Sequence, residues 1–278
     1  MVNLKLLVLN NNQLTSLAGI DQLVNLIQLY INNNQLTSLV GFDQLINLTD
    51  LHITHNQLTS LKGLSQLVNL EYLHLDNNLL TSLEGLDNLV NLTSLDLGSN
   101  QLTSLAGISH LVNLTHLYLN YNKLISLAGL SKLINLECIY LGNNQLTSLN
   151  GLGQLMNLEC LDLDSNKLTS LAGLGQLINL EYLIIKNNKL KSVIHIYKLT
   201  KLRTFDRSNN QLVSFDKLNI IKHIDKTNFN NYNYWQFCRK FPRHFKFNIF
   251  NKLKNLLIDK LESLIRTNRH INVAYPQL

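Results

Sequence analysis

Residues 12–26 read NQLTSLAGIDQLVNL, residues 34–48 read NQLTSLVGFDQLINL, and residues 56–70 read NQLTSLKGLSQLVNL. One phrase is rewritten at a fixed step. The leucine that closes it stands at Leu4, Leu26, Leu48, Leu70, Leu92, Leu114, Leu136, Leu158, Leu180 and Leu202, each 22 residues after the last. An asparagine keeps the same step from Asn12, Asn34 and Asn56 to Asn210. Ten copies therefore fill residues 3–222. A fixed period in this range means stacked supersecondary units rather than one closed core.

The second copy shows what one unit is. Leu29 and Ile31 alternate with polar neighbours, as in a short strand. Leu36, Leu39, Phe42 and Leu45 then recur every third residue, a spacing that predicts a tight 3₁₀-like or extended return. Gly41 sits in that return, and glycine recurs there from Gly19 to Gly173, where the chain must turn in a way that a Cβ hinders. Such a unit points seven apolar residues inward and has no second layer to cover them. It must lean on its neighbours. The bend after the strand leaves backbone N–H and C=O groups inside the coil, where an unpaired group costs about 1–3 kcal/mol. An asparagine amide both donates and accepts, so the Asn12-to-Asn210 series is expected to serve the bends of its own coil and of the next.

The pattern L-x-x-L-x-L-x-x-N-x-L resembles the leucine-rich repeat family. The 22-residue length, with L-x-x-L-x-x-L in the return arm, is similar to the subclass of the protein phosphatase-1 regulator and the bacterial internalins. The resemblance implies an α/β solenoid: a right-handed horseshoe with a parallel sheet on its concave side and 3₁₀ or extended arms on the convex side. It also implies a surface used to grip another protein, and it makes a phosphatase-regulator-like role conceivable.

Three outward columns change at almost every copy while NQLTSL hardly changes. One, just after the second core leucine, includes Tyr30, His52, His74, Asp96, Tyr118, Tyr140 and Asp162. The column two residues earlier includes Tyr72, His116, Cys138, Cys160 and Tyr182, and the column two residues later adds Asp76, Asp164 and Lys186. Tyr30, His52, Tyr72, His74, Asp96, His116, Tyr118, Tyr140, Asp162 and Tyr182 are the expected protein-binding residues. Tyrosine makes a large amphipathic contact and carboxylates favour a basic partner. Strands about 4.8 Å apart give ten copies on the order of 43 Å of face, room for a standard interface of roughly 800 Å². His52, His74 and Asp96 stand on adjacent strands, but parallel side chains on a sheet do not converge and no fourth metal ligand is at hand. No cofactor motif and no catalytic constellation stands out from the repeats, so an enzyme is not expected. The sequons at Asn47, Asn91 and Asn113 read as repeat grammar.

Composition divides the chain. Residues 1–178 hold 5 Lys/Arg and 12 Asp/Glu, a net of −7, whereas residues 179–278 hold 19 and 6, a net of +13. No run of 18 apolar residues occurs, and the start MVNLKLLVLNNNQ lacks a basic n-region and a cleavage site, so a cytoplasmic location is expected. The sequence divides into a solenoid over 1–222 and a basic, aromatic segment over 223–278, with 10 Lys/Arg against 3 Asp/Glu. Phe250, Leu253, Leu257, Leu261 and Leu264 line one face of a helix expected over 248–267, a cap for the last coil. That segment also supports the alternative of nucleic-acid or anionic-membrane contact through Lys252, Lys254 and Lys260. At the other end the edge at Leu4, Leu7 and Leu9 is expected to pair with another copy, in self-association, or with a partner.

Overall fold

The computed structural model describes residues 3–213. The chain divides into two units, Met1–Asp225 and Lys226–Leu278, and the described residues belong to the first. The helix expected over 248–267 and Lys217 of the tenth return lie outside the described residues.

Each copy folds as one coil of a parallel-sheet solenoid. The strands are β1 (Leu6–Val8), β2 (Gln28–Tyr30), β3 (Asp50–His52), β4 (Tyr72–His74), β5 (Ser94–Asp96), β6 (His116–Tyr118), β7 (Cys138–Tyr140), β8 (Cys160–Asp162), β9 (Tyr182–Ile184) and β10 (Thr204–Asp206). They form one sheet in chain order. The register advances by one repeat per strand, Leu29 beside Leu51 and Leu51 beside Leu73. Returns such as Phe42–Gln44 and Leu130–Lys132 are single 3₁₀ turns, and others close with the same short bond, as from Leu89 N–H to the Leu86 carbonyl (3.0 Å). No α-helix occurs among the described residues, so the α part of the expected α/β class rests on the segment outside them.

The seven inward positions are filled as the period requires. In the fifth coil Leu92, Leu95, Leu97, Leu102, Leu105, Ile108 and Leu111 are all buried. Truncating one such leucine to alanine costs about 2–5 kcal/mol, because the rigid neighbours cannot close the hole.

The asparagine series holds the coils to one another. Asn122 accepts the Leu102 N–H at its Oδ1 (2.9 Å) and donates Nδ2 to the carbonyls of Leu97 (2.9 Å) and Leu119 (3.1 Å). The same set recurs at Asn78, where Leu58 N–H and the Ile53 and Leu75 carbonyls are the partners. The partner coil is therefore the preceding one, not the next. The amide is cast backward because the bend that leaves N–H and C=O groups open lies one turn nearer the N-terminus. Asn12 bonds only the Leu9 and Asn10 carbonyls among the described residues.

Two further columns carry the turns. The residue before each ladder asparagine is left-handed in every coil, from Asn11 (φ 59°) through His55 and Tyr121 to Asn209 (φ 52°). Asparagine and histidine tolerate that region and tyrosine does so poorly. In the return, Gly85 has φ 104° and a Cβ there would stand 2.6 Å from the Leu61 carbonyl oxygen of the preceding coil. His195 replaces this glycine in the ninth copy, and the chain answers by moving the 3₁₀ turn to Ile194–Ile196 after Val193, whose φ is −116°. The core residues Val193, Ile196 and Leu199 stay buried.

Two contrasts test these assignments. Asn122→Leu leaves the Leu102 N–H buried without a partner and strips the Leu97 carbonyl of one of its two donors, Asn100 Nδ2 (3.1 Å) remaining; it is expected to cost about 3 kcal/mol in urea denaturation, whereas Asn12→Ala costs less than about 1 kcal/mol; equal losses contradict the inter-coil role. Gly107 is also left-handed (φ 93°), but nothing lies within 4 Å of a Cβ there. Gly107→Ala should cost about 1 kcal/mol of backbone strain, and Gly85→Ala about 2 kcal/mol more, because it drives a methyl into backbone.

Candidate functional site

Three-residue strands with one inward leucine leave the residues on either side of it pointing away from the core. In β6 that leucine is Leu117, and His116 and Tyr118 face outward. Register then lines equivalent residues up across the sheet. His52 stands beside Tyr30 and His74, and Tyr118 stands between Asp96 and Tyr140.

The aromatic residues of the central column are stacked. Tyr30 and His52 lie with ring centroids 4.5 Å apart, His52 and His74 at 4.2 Å and 14° between planes, and Tyr118 and Tyr140 at 4.8 Å and 15°. These separations equal the spacing of strands in a sheet, so stacking is the direct consequence of putting rings at one position of successive coils. The column reads as two stacks separated by carboxylate: Tyr30–His52–His74, then Asp96, then Tyr118–Tyr140, then Asp162. His52, His74, Tyr118 and Tyr140 are buried, and Tyr30, Tyr72, Asp96, His116, Asp162 and Tyr182 are half-buried. The face is less open than a bare sheet surface, and stacking covers part of each ring.

The aspartates have a structural duty that the sequence did not disclose. Asp96 accepts the Gly98 N–H (2.9 Å), Asp162 the Asp164 N–H (2.9 Å) and Asp206 the Ser208 N–H (3.0 Å). In the second and third coils the equivalent N–H groups, of Asn32 and Thr54, are taken by Asn10 and Asn32 of the preceding coil. Where that preceding residue is Asp76, Gly142 or Lys186, the aspartate within the coil does the work. Asp164 is engaged as well: its carboxylate accepts from Ser165 Oγ (2.8 Å) and Asn187 Nδ2 (2.8 Å) and lies 3.5 Å from Lys186 Nζ.

Charge at the face is tuned by burial. His116 is held at about 4 by desolvation, so its ring is neutral near neutral pH. Burial raises Tyr30, and Asp50 adds to it. Asp162 is pushed up to about 6, by desolvation first and then by Asp164 and Asp206, against the Asp164 N–H and Lys186. Cys138 and Cys160 lie side by side in β7 and β8 as buried free thiols. The first is raised by its bond to the second, by burial and by Glu137 and Glu159.

Asp50 was overlooked as a site residue. It is buried in β3 and takes a bond from Thr49 Oγ1 (2.7 Å), and its place in the column beside Tyr72 was the available signal. The sequon asparagines are accounted for: Asn47, Asn91 and Asn113 each donate Nδ2 to a carbonyl of the preceding coil, those of Val24, Val68 and Val90. Among the described residues no group of three or more His, Cys, Asp or Glu side chains is placed to hold a metal.

The Asp162 carboxyl gives a pH test. Its folded value lies above the free value of 3.8, so its contribution to stability is complete below about pH 3.8 and is lost as the pH rises through about 6. Asp162→Asn keeps an acceptor for the Asp164 N–H and removes the charge. It is expected to raise the melting temperature more at pH 7.5 than at pH 4; an equal shift, or a fall at pH 7.5, contradicts this.

A family profile of leucine-rich repeats (two copies) matches residues 2–44, 46–88, 90–132 and 134–176. A search of curated proteins finds no match. Among solved structures, an internalin of Listeria monocytogenes is 27% identical with a TM-score of 0.69, covering 80% of this chain and 72% of its own. A leucine-rich-repeat protein of Leptospira interrogans is 33% identical with a TM-score of 0.75, covering 81% of this chain and 59% of its own. A plant peptide hormone receptor in complex with RGF2 is 26% identical with a TM-score of 0.67, covering 80% of this chain and 39% of its own. The chain thus spans less than two thirds of two of these three structures.

Proposed function

This chain belongs to the leucine-rich repeat family, and we propose that within it the protein is a non-catalytic scaffold that holds a partner protein against the outer face of its sheet. One observation carries the reading. On four successive strands, β5 to β8, the stacked rings of Tyr118 and Tyr140 are bracketed by Asp96 and Asp162.

Two phenol rings between two carboxylates form a surface suited to a cationic side chain. An arginine or lysine gains the half-buried carboxylates of Asp96 and Asp162 through charge-assisted hydrogen bonds, with the stacked rings as a rigid floor between them. Rigidity adds to this, because the rings are ordered by stacking before a partner arrives and little side-chain entropy is left to lose. The neighbours support a protein or peptide partner in general: one of them is a peptide hormone receptor solved in complex with RGF2. The remaining columns, with Tyr30, His52, Tyr72, His74, His116 and Tyr182, extend the contact on either side. A regulator-like role, in which the face holds an enzyme, is one form of the same reading.

The test is capture by cross-linking, comparing the wild type with Tyr118→Ala/Tyr140→Ala and with Asp96→Asn/Asp162→Asn, each checked for an unchanged circular dichroism spectrum. The reading expects one specific protein to fall at least about tenfold in both variants, an effect of the size of a single hot spot. Identical capture by all three proteins rejects this face.

A further inference from the structure

A second surface lies where the return arm feeds the next strand. The position that follows the last core leucine of each copy is occupied by Val68, Val90, Val112, Ile134, Met156 and Ile178, with Ile46 before them. All seven are between 42% and 54% exposed. None is part of the core, and nothing in the coil demands apolarity there, since Thr200 takes the equivalent place in the ninth copy. Of the other exposed columns of the return arm, the one before the turn glycine is mixed, with Val40, Ala106 and Ala128 beside Lys62, Glu84 and Asn150, and two others are largely threonine and serine.

These residues are also held in line. Asn91 donates to the Val68 carbonyl (2.8 Å), Asn113 to Val90 (2.9 Å), Asn135 to Val112 (2.9 Å), Asn157 to Ile134 (3.0 Å) and Asn179 to Met156 (2.8 Å). Each bond ties the backbone of a stripe residue to the following coil, so the side chains repeat at the coil spacing on a rigid support. Seven half-exposed aliphatic side chains expose on the order of 500 Å² of continuous apolar surface, the size at which an exposed patch signals an interface. With a polar margin it approaches the roughly 800 Å² per partner of a stable protein pair.

We infer that this stripe is the contact surface for a second copy of the chain, related by a two-fold axis running along it. Charge placement selects this occupant. Lys132 and Glu137 flank Ile134 on opposite sides of the stripe, and both are exposed. An axis along the stripe brings each copy's Lys132 against the other's Glu137, making the pair twice, and it sets stripes of identical period against one another. An axis across the stripe would instead face like charge with like. The inference is independent of the sheet-face proposal, because the two surfaces share no residue.

Sedimentation equilibrium of the full chain between about 1 and 100 µM tests it, with circular dichroism confirming that each variant is folded. The wild type dimerises, and Val112→Glu/Ile134→Glu weakens the dimer at least about a hundredfold. Lys132→Glu and Glu137→Lys each weaken it about tenfold, and the two reversals together restore it to within about threefold of the wild type. A monomer throughout that range overturns the inference. So does a dimer that the Val112→Glu/Ile134→Glu variant leaves intact, or a charge reversal that the second reversal does not rescue.

Discussion

The structure depends on an amide that belongs to two coils at once. The turn after each strand leaves a leucine N–H and two carbonyls facing inward, away from water. Each ladder asparagine from Asn34 to Asn210 reaches back to accept that N–H and donate to a carbonyl of the coil before it, as Asn122 does with Leu102 and Leu97. The desolvation cost of an orphaned backbone group exceeds the net worth of an ordinary hydrogen bond, so a coil without its neighbour is penalised twice, in exposed leucine and in unpaired backbone. Cooperation between adjacent repeats is therefore built into the side chain that recurs most strictly.

Everything at the face follows from that stacking. Strands held in register one repeat apart convert a sequence column into a row of side chains about 4.8 Å from one another. Aromatic residues at one column must then stack, and Tyr118–Tyr140 and His52–His74 do. The same rule makes a row of the exposed aliphatic residues from Ile46 to Ile178. The outer sheet face and the stripe are two readings of one geometry. In the first the column varies from copy to copy and mixes rings with carboxylates; in the second it stays apolar. The aspartates would join structure to recognition, because Asp96 and Asp162 hold a backbone N–H with the same carboxylate that the proposed binding face presents.

Much of this was legible from the residues alone. The seven inward positions, the short strands, the 3₁₀ returns and the duty of the asparagines all follow from a period of 22 and from the need to pair buried backbone. What escaped has physical causes. The left-handed residue before each ladder asparagine is Asn, His, Ser or Tyr, a set united by conformation and not by type. The backward direction of the ladder depends on where the bend sits along the coil, which periodicity does not reveal. His195 stands where earlier copies have the turn glycine, and the chain restores the turn by sliding it toward Val193, a shift that residue type does not announce. The stripe lies inside the phrase VNL, where an apolar residue beside a core leucine gives no sign of facing water. The limited exposure of His74 and Tyr118 was invisible to a rule that knows only which side of the sheet a residue faces.

The central claim is that neighbouring coils stabilise one another through the asparagine amides. Native-state hydrogen exchange read residue by residue tests it most directly. The amides of Leu58, Leu80, Leu102, Leu124 and Leu146 lie just beyond a bend, outside any strand, and each donates to the asparagine of the following coil at 2.9–3.0 Å. The account predicts that they exchange as slowly as the amides of Leu97 and Leu119, which follow β5 and β6 and donate to the Tyr118 and Tyr140 carbonyls of the next strand, through the same cooperative opening. Exchange at the rate of an ordinary exposed turn would contradict it.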